Sequence, residues 1–81
     1  MNTKTIALVG IGANLGDAVA TVRHAFRDLD AVPHTRLLRA SKLYRTPAWG
    51  RTDQPDFINA VAMLETALPA RELLDAMLDI E

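Results

Sequence analysis

The sequence predicts an α+β fold, with two helices packed on one antiparallel sheet in the order β-α-β-β-α. Two segments, Asp17 to Leu29 and the stretch from Leu68-Pro69-Ala70 onward, repeat apolar residues at helical spacing. Two others, Thr5 to Ile11 and Thr35 to Arg45, are rich in residues that suit a pleated surface. Between the second strand and the second helix, Phe57 to Thr66 is a near-continuous apolar run, the pattern of a strand covered on both sides or at least centrally placed.

Ile6, Leu8 and Val9 build the first strand, and Gly10 ends its clean run. The turn Gly10-Ile-Gly12-Ala-Asn14-Leu-Gly16 follows, and Asp17 can cap the helix that opens there. Leu15 stands where a dinucleotide fingerprint needs its third glycine, and no Gly-Lys-Ser/Thr follows. The glycines therefore predict a sharp turn and a close backbone approach rather than a phosphate loop. In the helix, Val19, Val22, Phe26 and Leu29 share one stripe, with His24 on the polar side as a surface histidine. Val32-Pro33 breaks the pattern, and His34 reads as a loop residue. Ser41 is the only serine and has no glycine elbow, which argues against a serine nucleophile. In the second helix Leu73, Leu74, Met77 and Leu78 are the expected buried stripe, after Pro69 in the first turn. This order is that of the ferredoxin-like, or split βαβ, arrangement without its final strand. The chain reaches Glu81 within a helical pattern, so residues 1–81 are expected to be the N-terminal portion of a single domain. The first strand would then keep an open hydrogen-bonding edge.

At 81 residues the chain is one domain at most, and an apolar content of 49% makes it globular. It has no cysteine, which removes disulfides, thiolate catalysis and Cys-based metal sites. The apolar run Ile6-Ala7-Leu8-Val9 is too short for a signal peptide or a membrane span, so a cytoplasmic chain with no membrane partner is expected. A net charge of −1 argues against nucleic acid as the partner. Arg36, Arg39, Lys42, Arg45 and Arg51 nevertheless fall in one window without carboxylates. Such a strip suits a small polyanion, such as a nucleotide's phosphates, or is simply a solvated strand face.

The connection from Tyr44 to Asn59 is long for so small a domain and holds the only tryptophan, Trp49. Phe57 and Asn59 lie two apart, which puts them on one face of a strand. A ring to stack on and an amide to hydrogen-bond fit a flat heterocycle with donors and acceptors along its edge. The alternative is a hairpin loop with a buried Phe and a strand-end Asn.

Several pieces in order resemble one family, the 6-hydroxymethyl-7,8-dihydropterin pyrophosphokinases of folate biosynthesis. They are Gly12-Ala-Asn14-Leu15-Gly16-Asp17, Ser41-Lys-Leu-Tyr44-Arg45-Thr46-Pro47, Asp53-Gln54-Pro55-Asp56-Phe57-Ile58-Asn59-Ala60 and Leu64-Glu65-Thr66, followed by the helix ending Ile80-Glu81. The resemblance implies transfer of pyrophosphate from ATP to the hydroxymethyl group of a reduced pterin, with Mg2+ and release of AMP. It implies that Asn59 hydrogen-bonds the pterin's pyrimidinone edge and Phe57 stacks on its ring. Thr46 and the backbone near Trp49 would add contacts, Pro47 and Ala48 would shape the wall, and Gly12 would line the floor. Glu81 corresponds to a residue near the nucleotide.

Ala13 stands where the family usually has serine, and Ala48 where a second proline is common. The family's Asp-Leu-Asp metal motif and catalytic loop have no counterpart within the 81 residues, whose carboxylates at Asp53, Asp56 and Glu81 form no Asp-x-Asp pair. Phosphoryl transfer depends on metal ions and cations that stabilise spread negative charge. The chain alone is therefore expected to be inactive, with no catalytic or metal residue of its own. Two alternatives stand beside this reading. One is a non-catalytic ferredoxin-like ligand-binding or dimerisation module, forming a homodimer through the open edge of the first strand. The other is an RNA-binding sheet, disfavoured because the first strand carries no aromatic residue.

Overall fold

The computed structural model describes residues 3–48 and 53–80. Strand β1 (Thr5–Ala13), helix α1 (Ala18–Asp30), strands β2 (Thr35–Ala40), β3 (Tyr44–Thr46) and β4 (Phe57–Thr66), and helix α2 (Ala70–Ile80) follow in order. This is the expected α+β, ferredoxin-like arrangement, with four antiparallel strands in an open sheet. Strand β4 is its centre. It pairs with β1 along one edge and with β2 and β3 in succession along the other.

Helices cover only one face, which decides between the two positions the apolar run allowed. On the covered face Ile58, Ala60, Ala62 and Leu64 are buried, and Thr66 closes the row at 3% exposure. The other face carries Phe57, Asn59, Val61, Met63 and Glu65, of which Val61 is 46% exposed. Strand β4 is thus central but not covered on both sides. Its covered row packs into two adjoining clusters. Val9, Ala62, Leu64, Leu29 and Leu73 form one. Val22, Ile58 and Ala60 form the other. Ile11 and Phe26 touch both.

Local hydrogen bonds explain where the elements begin and end. Gly16 turns the chain at φ 60°, and the Asp17 carboxylate then accepts from the Ala20 N–H at 3.1 Å, capping α1. At the far end the Asp30 carboxylate accepts the Leu37 N–H at 2.8 Å, tying helix to β2. Thr66 is buried, and its hydroxyl oxygen accepts from Leu68 N–H (3.1 Å). It lies 2.7 Å from the Thr35 hydroxyl, which donates to the Pro33 carbonyl at 3.1 Å. With one proton per hydroxyl, all three bonds form only if Thr66 donates to Thr35.

Three sequence expectations need correction. The first strand, expected over Thr5 to Ile11, runs on to Ala13, because β4 supplies a partner for every residue from Thr5 to Ala13. The single second strand is two, β2 and β3, giving β-α-β-β-β-α. At the break the Ser41 hydroxyl accepts the Val61 N–H at 2.8 Å, while Ser41 N–H donates to the Val61 carbonyl at 2.8 Å. The lone serine thus bridges a gap in the ladder. In α2, Leu73 is buried and Met77 and Ile80 pack against the core, but Leu74 and Leu78 are 49% and 56% exposed. The helix touches the rest of the domain along one stripe, and those two leucines lie about 100° around it.

Candidate functional site

The site forms on the uncovered face, at the end of the sheet where β4 begins. The register places Asn59 between Gly12 of β1 and Tyr44 of β3, and Phe57 opposite Thr46. Directly opposed residues in an antiparallel pair share a face, as do residues two apart on one strand. Gly12, Tyr44, Thr46, Phe57 and Asn59 therefore point the same way.

The Asn59 carboxamide is fixed from both sides. Its Nδ2 donates to Thr46 Oγ1 at 2.6 Å. Its Oδ1 lies over Gly12, 2.9 Å from where a β-carbon on that glycine would sit. Any side chain at this position would displace the carboxamide, so the residue must be glycine for reasons of space. Its φ lies outside the positive region. With one N–H committed to Thr46, the carboxamide keeps a second N–H and its carbonyl oxygen for a ligand, and the Thr46 hydroxyl keeps a proton to donate. The half-buried Phe57 ring stands two residues away along the same strand. The arrangement presents a donor–acceptor edge beside an aromatic surface.

Pro47 and Ala48 continue from Thr46 at the rim, Pro47 exposed and Ala48 half-buried. Across the site Asn14 Nδ2 reaches Gln54 Oε1 at 3.4 Å, linking the turn after β1 to the loop that leads into β4. Trp49 and Glu81, named from the sequence, lie outside the described residues. Arg51 also lies outside the described residues, and among those described the cationic window is not gathered into one strip. Arg36 and Arg39 pair with Glu65 and Met63 on the uncovered face, while Arg45 pairs with Ile58 on the other. Arg36 Nε also lies 3.6 Å from the Glu65 carboxylate. Among the described residues no three His, Asp or Glu side chains converge as a metal site. No helix of the described residues is long and apolar enough to cross a membrane.

Sequence reasoning gave Tyr44 no place in the site. The signal was there: Tyr44 precedes Thr46 by two residues, the same spacing that paired Phe57 with Asn59.

A sheet face that offers an aromatic ring and an oriented carboxamide is chemically suited to a flat, hydrogen-bonding heterocycle. Comparison with known proteins makes the assignment specific. Residues 8–81 match the model of the 7,8-dihydro-6-hydroxymethylpterin-pyrophosphokinase family, and the chain belongs to that family. It is 43% identical over 77 residues to the 2-amino-4-hydroxy-6-hydroxymethyldihydropteridine pyrophosphokinase of Methylorubrum extorquens, covering 95% of this chain and 49% of that protein. The enzymes of the same name from Pseudomonas putida and Haemophilus influenzae are 47% and 36% identical over 75 residues, each covering 93% of this chain. Those matches take in 62% and 47% of the two relatives. The chain spans about half the length of the curated relatives it matches.

Proposed function

We propose that residues 1–81 are the N-terminal portion of a single pyrophosphokinase domain and that the uncovered sheet face binds the reduced pterin. The whole protein would transfer pyrophosphate from ATP to the hydroxymethyl group of 6-hydroxymethyl-7,8-dihydropterin, in folate biosynthesis. The observation that carries this reading is the Asn59 carboxamide, held between the Thr46 hydroxyl and bare Gly12 backbone. A 2-amino-4-oxo-pyrimidine ring offers N–H donors beside a carbonyl acceptor. That edge complements the carboxamide oxygen, its free N–H and the Thr46 hydroxyl. Phe57 would take the ring by stacking. Pro47, Ala48 and Trp49 would form the wall, and Glu81 would lie toward the nucleotide.

The Mg2+ ligands and the catalytic loop that acts on ATP belong, in this reading, to the part of the relatives outside the matched region. The reaction is cytoplasmic and needs neither nucleic acid nor membrane. Calorimetric titration of the 81-residue chain with the pterin tests the proposal. Binding should weaken at least about fivefold in Asn59→Ala, because a neutral hydrogen-bond pair left unmade costs roughly 1–3 kcal/mol. Equal affinity in that variant would refute the assignment of the heterocycle edge. Incubation of the chain with ATP, Mg2+ and the pterin should yield no AMP, and AMP release at an enzymatic rate would refute the placing of the catalytic groups elsewhere.

A further inference from the structure

Strand β3 sets Tyr44 opposite Asn59 and Thr46 opposite Phe57, so the 2.6 Å bond from Asn59 Nδ2 to Thr46 Oγ1 crosses the ladder on a diagonal. A carboxamide turned through half a revolution keeps its outline but exchanges its donor for its acceptor. Two neighbours of Asn59 bear on which way it stands. On the β1 side, Oδ1 lies 2.9 Å from the β-carbon position of Gly12, where the glycine carries only hydrogen. An oxygen accepts a C–H there, whereas an amide N–H would set hydrogen against hydrogen. On the β3 side, the Thr46 hydroxyl accepts the N–H and keeps its own proton. In the turned-over state Oδ1 would take that proton, and the site would lose a donor.

We propose that Thr46 is a positioning residue: by holding the Asn59 carboxamide in this one orientation, it makes the site select 4-oxo over 4-amino heterocycles. The inference rests on the reading of this face as a pterin site. A 2-amino-4-oxo ring presents acceptor, donor and donor along its edge, from the 4-oxygen through N3–H to the 2-amino group. The first two meet the free N–H and the oxygen of the held carboxamide. A 2,4-diamino ring presents donor, acceptor and donor. In the same seat its 4-amino group faces the carboxamide N–H and its bare N3 faces the oxygen, so both contacts turn repulsive. To pair at all it must slide by one ring position or turn over, and either movement shifts it on Phe57. The two rings have nearly the same outline, so pocket shape cannot tell them apart. The discrimination comes from a side chain that is held from turning to suit the ligand.

Calorimetric titration of the 81-residue chain with 6-hydroxymethylpterin and with 2,4-diamino-6-hydroxymethylpteridine, at a pH where both rings are neutral, provides the test. The chain should prefer the 4-oxo ring by at least about tenfold. Thr46→Val keeps the side chain's outline and removes the hydroxyl, so the carboxamide can turn. Affinity for the 4-oxo ring should then fall and affinity for the 4-amino ring should rise, each by about threefold or more. Thr46→Ala should do the same, and Thr46→Ser should return both affinities to those of the parent chain. Thermal melts of each variant check that the fold is intact. A parent chain that binds both rings alike overturns the proposal. So do Thr46→Val and Thr46→Ala chains that bind the 4-amino ring no better than the parent, because a hydroxyl that only touched the ligand would give that result. Asn59→Ala separates this failure from failure of the site itself. With the site correctly placed it loses pterin affinity whatever Thr46 does, and with the site elsewhere it does not.

Discussion

Replacing Gly12 by alanine separates ligand recognition from stability. The new methyl carbon would stand 2.9 Å from Asn59 Oδ1, closer than such contacts allow, and the carboxamide must swing away. Doing so strains or breaks its 2.6 Å bond to Thr46. Losing a neutral hydrogen bond costs about 0.5–1.5 kcal/mol. Replacing glycine within a strand returns about 0.5–1 kcal/mol. The two nearly cancel, so stability should change by less than about 1 kcal/mol, a shift in Tm below about 8 °C for a domain of this size. Ligand binding has no such compensation. A ligand edge that meets a misplaced carboxamide loses about 1.4–2.8 kcal/mol, or roughly 10–100-fold in Kd. Gly10→Ala is the control, because it lies two residues away on the same strand with open space above it. Pterin titration alongside thermal melts should show Gly12→Ala impaired in binding and Gly10→Ala unaffected. Wild-type affinity in Gly12→Ala would refute the idea that this glycine positions the carboxamide. Equal losses in both variants would refute it as well.

Two further substitutions probe the hydrogen bonds that hold the sheet. Thr66→Val removes the hydroxyl of a residue that is only 3% exposed and strands the Leu68 N–H, so chemical denaturation should show a loss of about 1–3 kcal/mol. Ser41→Ala leaves the Val61 N–H without its side-chain acceptor at a solvent-accessible position. The expected loss is about 1 kcal/mol, with faster hydrogen exchange confined to Val61 and its neighbours.

How much of this was legible in the sequence depends on whether a residue's role is local. Phe57 to Thr66 was bounded correctly because its apolar run ends at a proline-rich loop on one side and a Leu-Pro turn on the other. The shared face of Phe57 and Asn59 follows from strand periodicity alone. The division of the second strand was not legible, since it depends on Ser41 meeting Val61, twenty residues away. Nor was the exposure of Leu74 and Leu78, which good helical spacing suggested were buried. Periodicity says which residues share a stripe, but only the neighbouring elements decide how wide a stripe they cover. Tyr44 shows a different failure: its position was readable, but nothing local marks a tyrosine as facing an asparagine on another strand. The bond between Asn59 and Thr46 is likewise a tertiary fact, although Asn59 was picked out from strand periodicity and Thr46 through the family resemblance.

Every strand pairing among the described residues has β4 as one member. Thr5 finds its partner in Thr66, and no two of the earlier strands can lean on each other. During synthesis, at roughly 5–20 residues per second, the first 56 residues therefore emerge with no ladder to join. Helix α1 can form early from local bonds, whereas the nascent β1 must wait for a segment some fifty positions behind it. A polypeptide ending before Phe57 should consequently show helix but no sheet by infrared spectroscopy, and ribosome-bound chains should gain protease resistance only once Thr66 has cleared the exit tunnel.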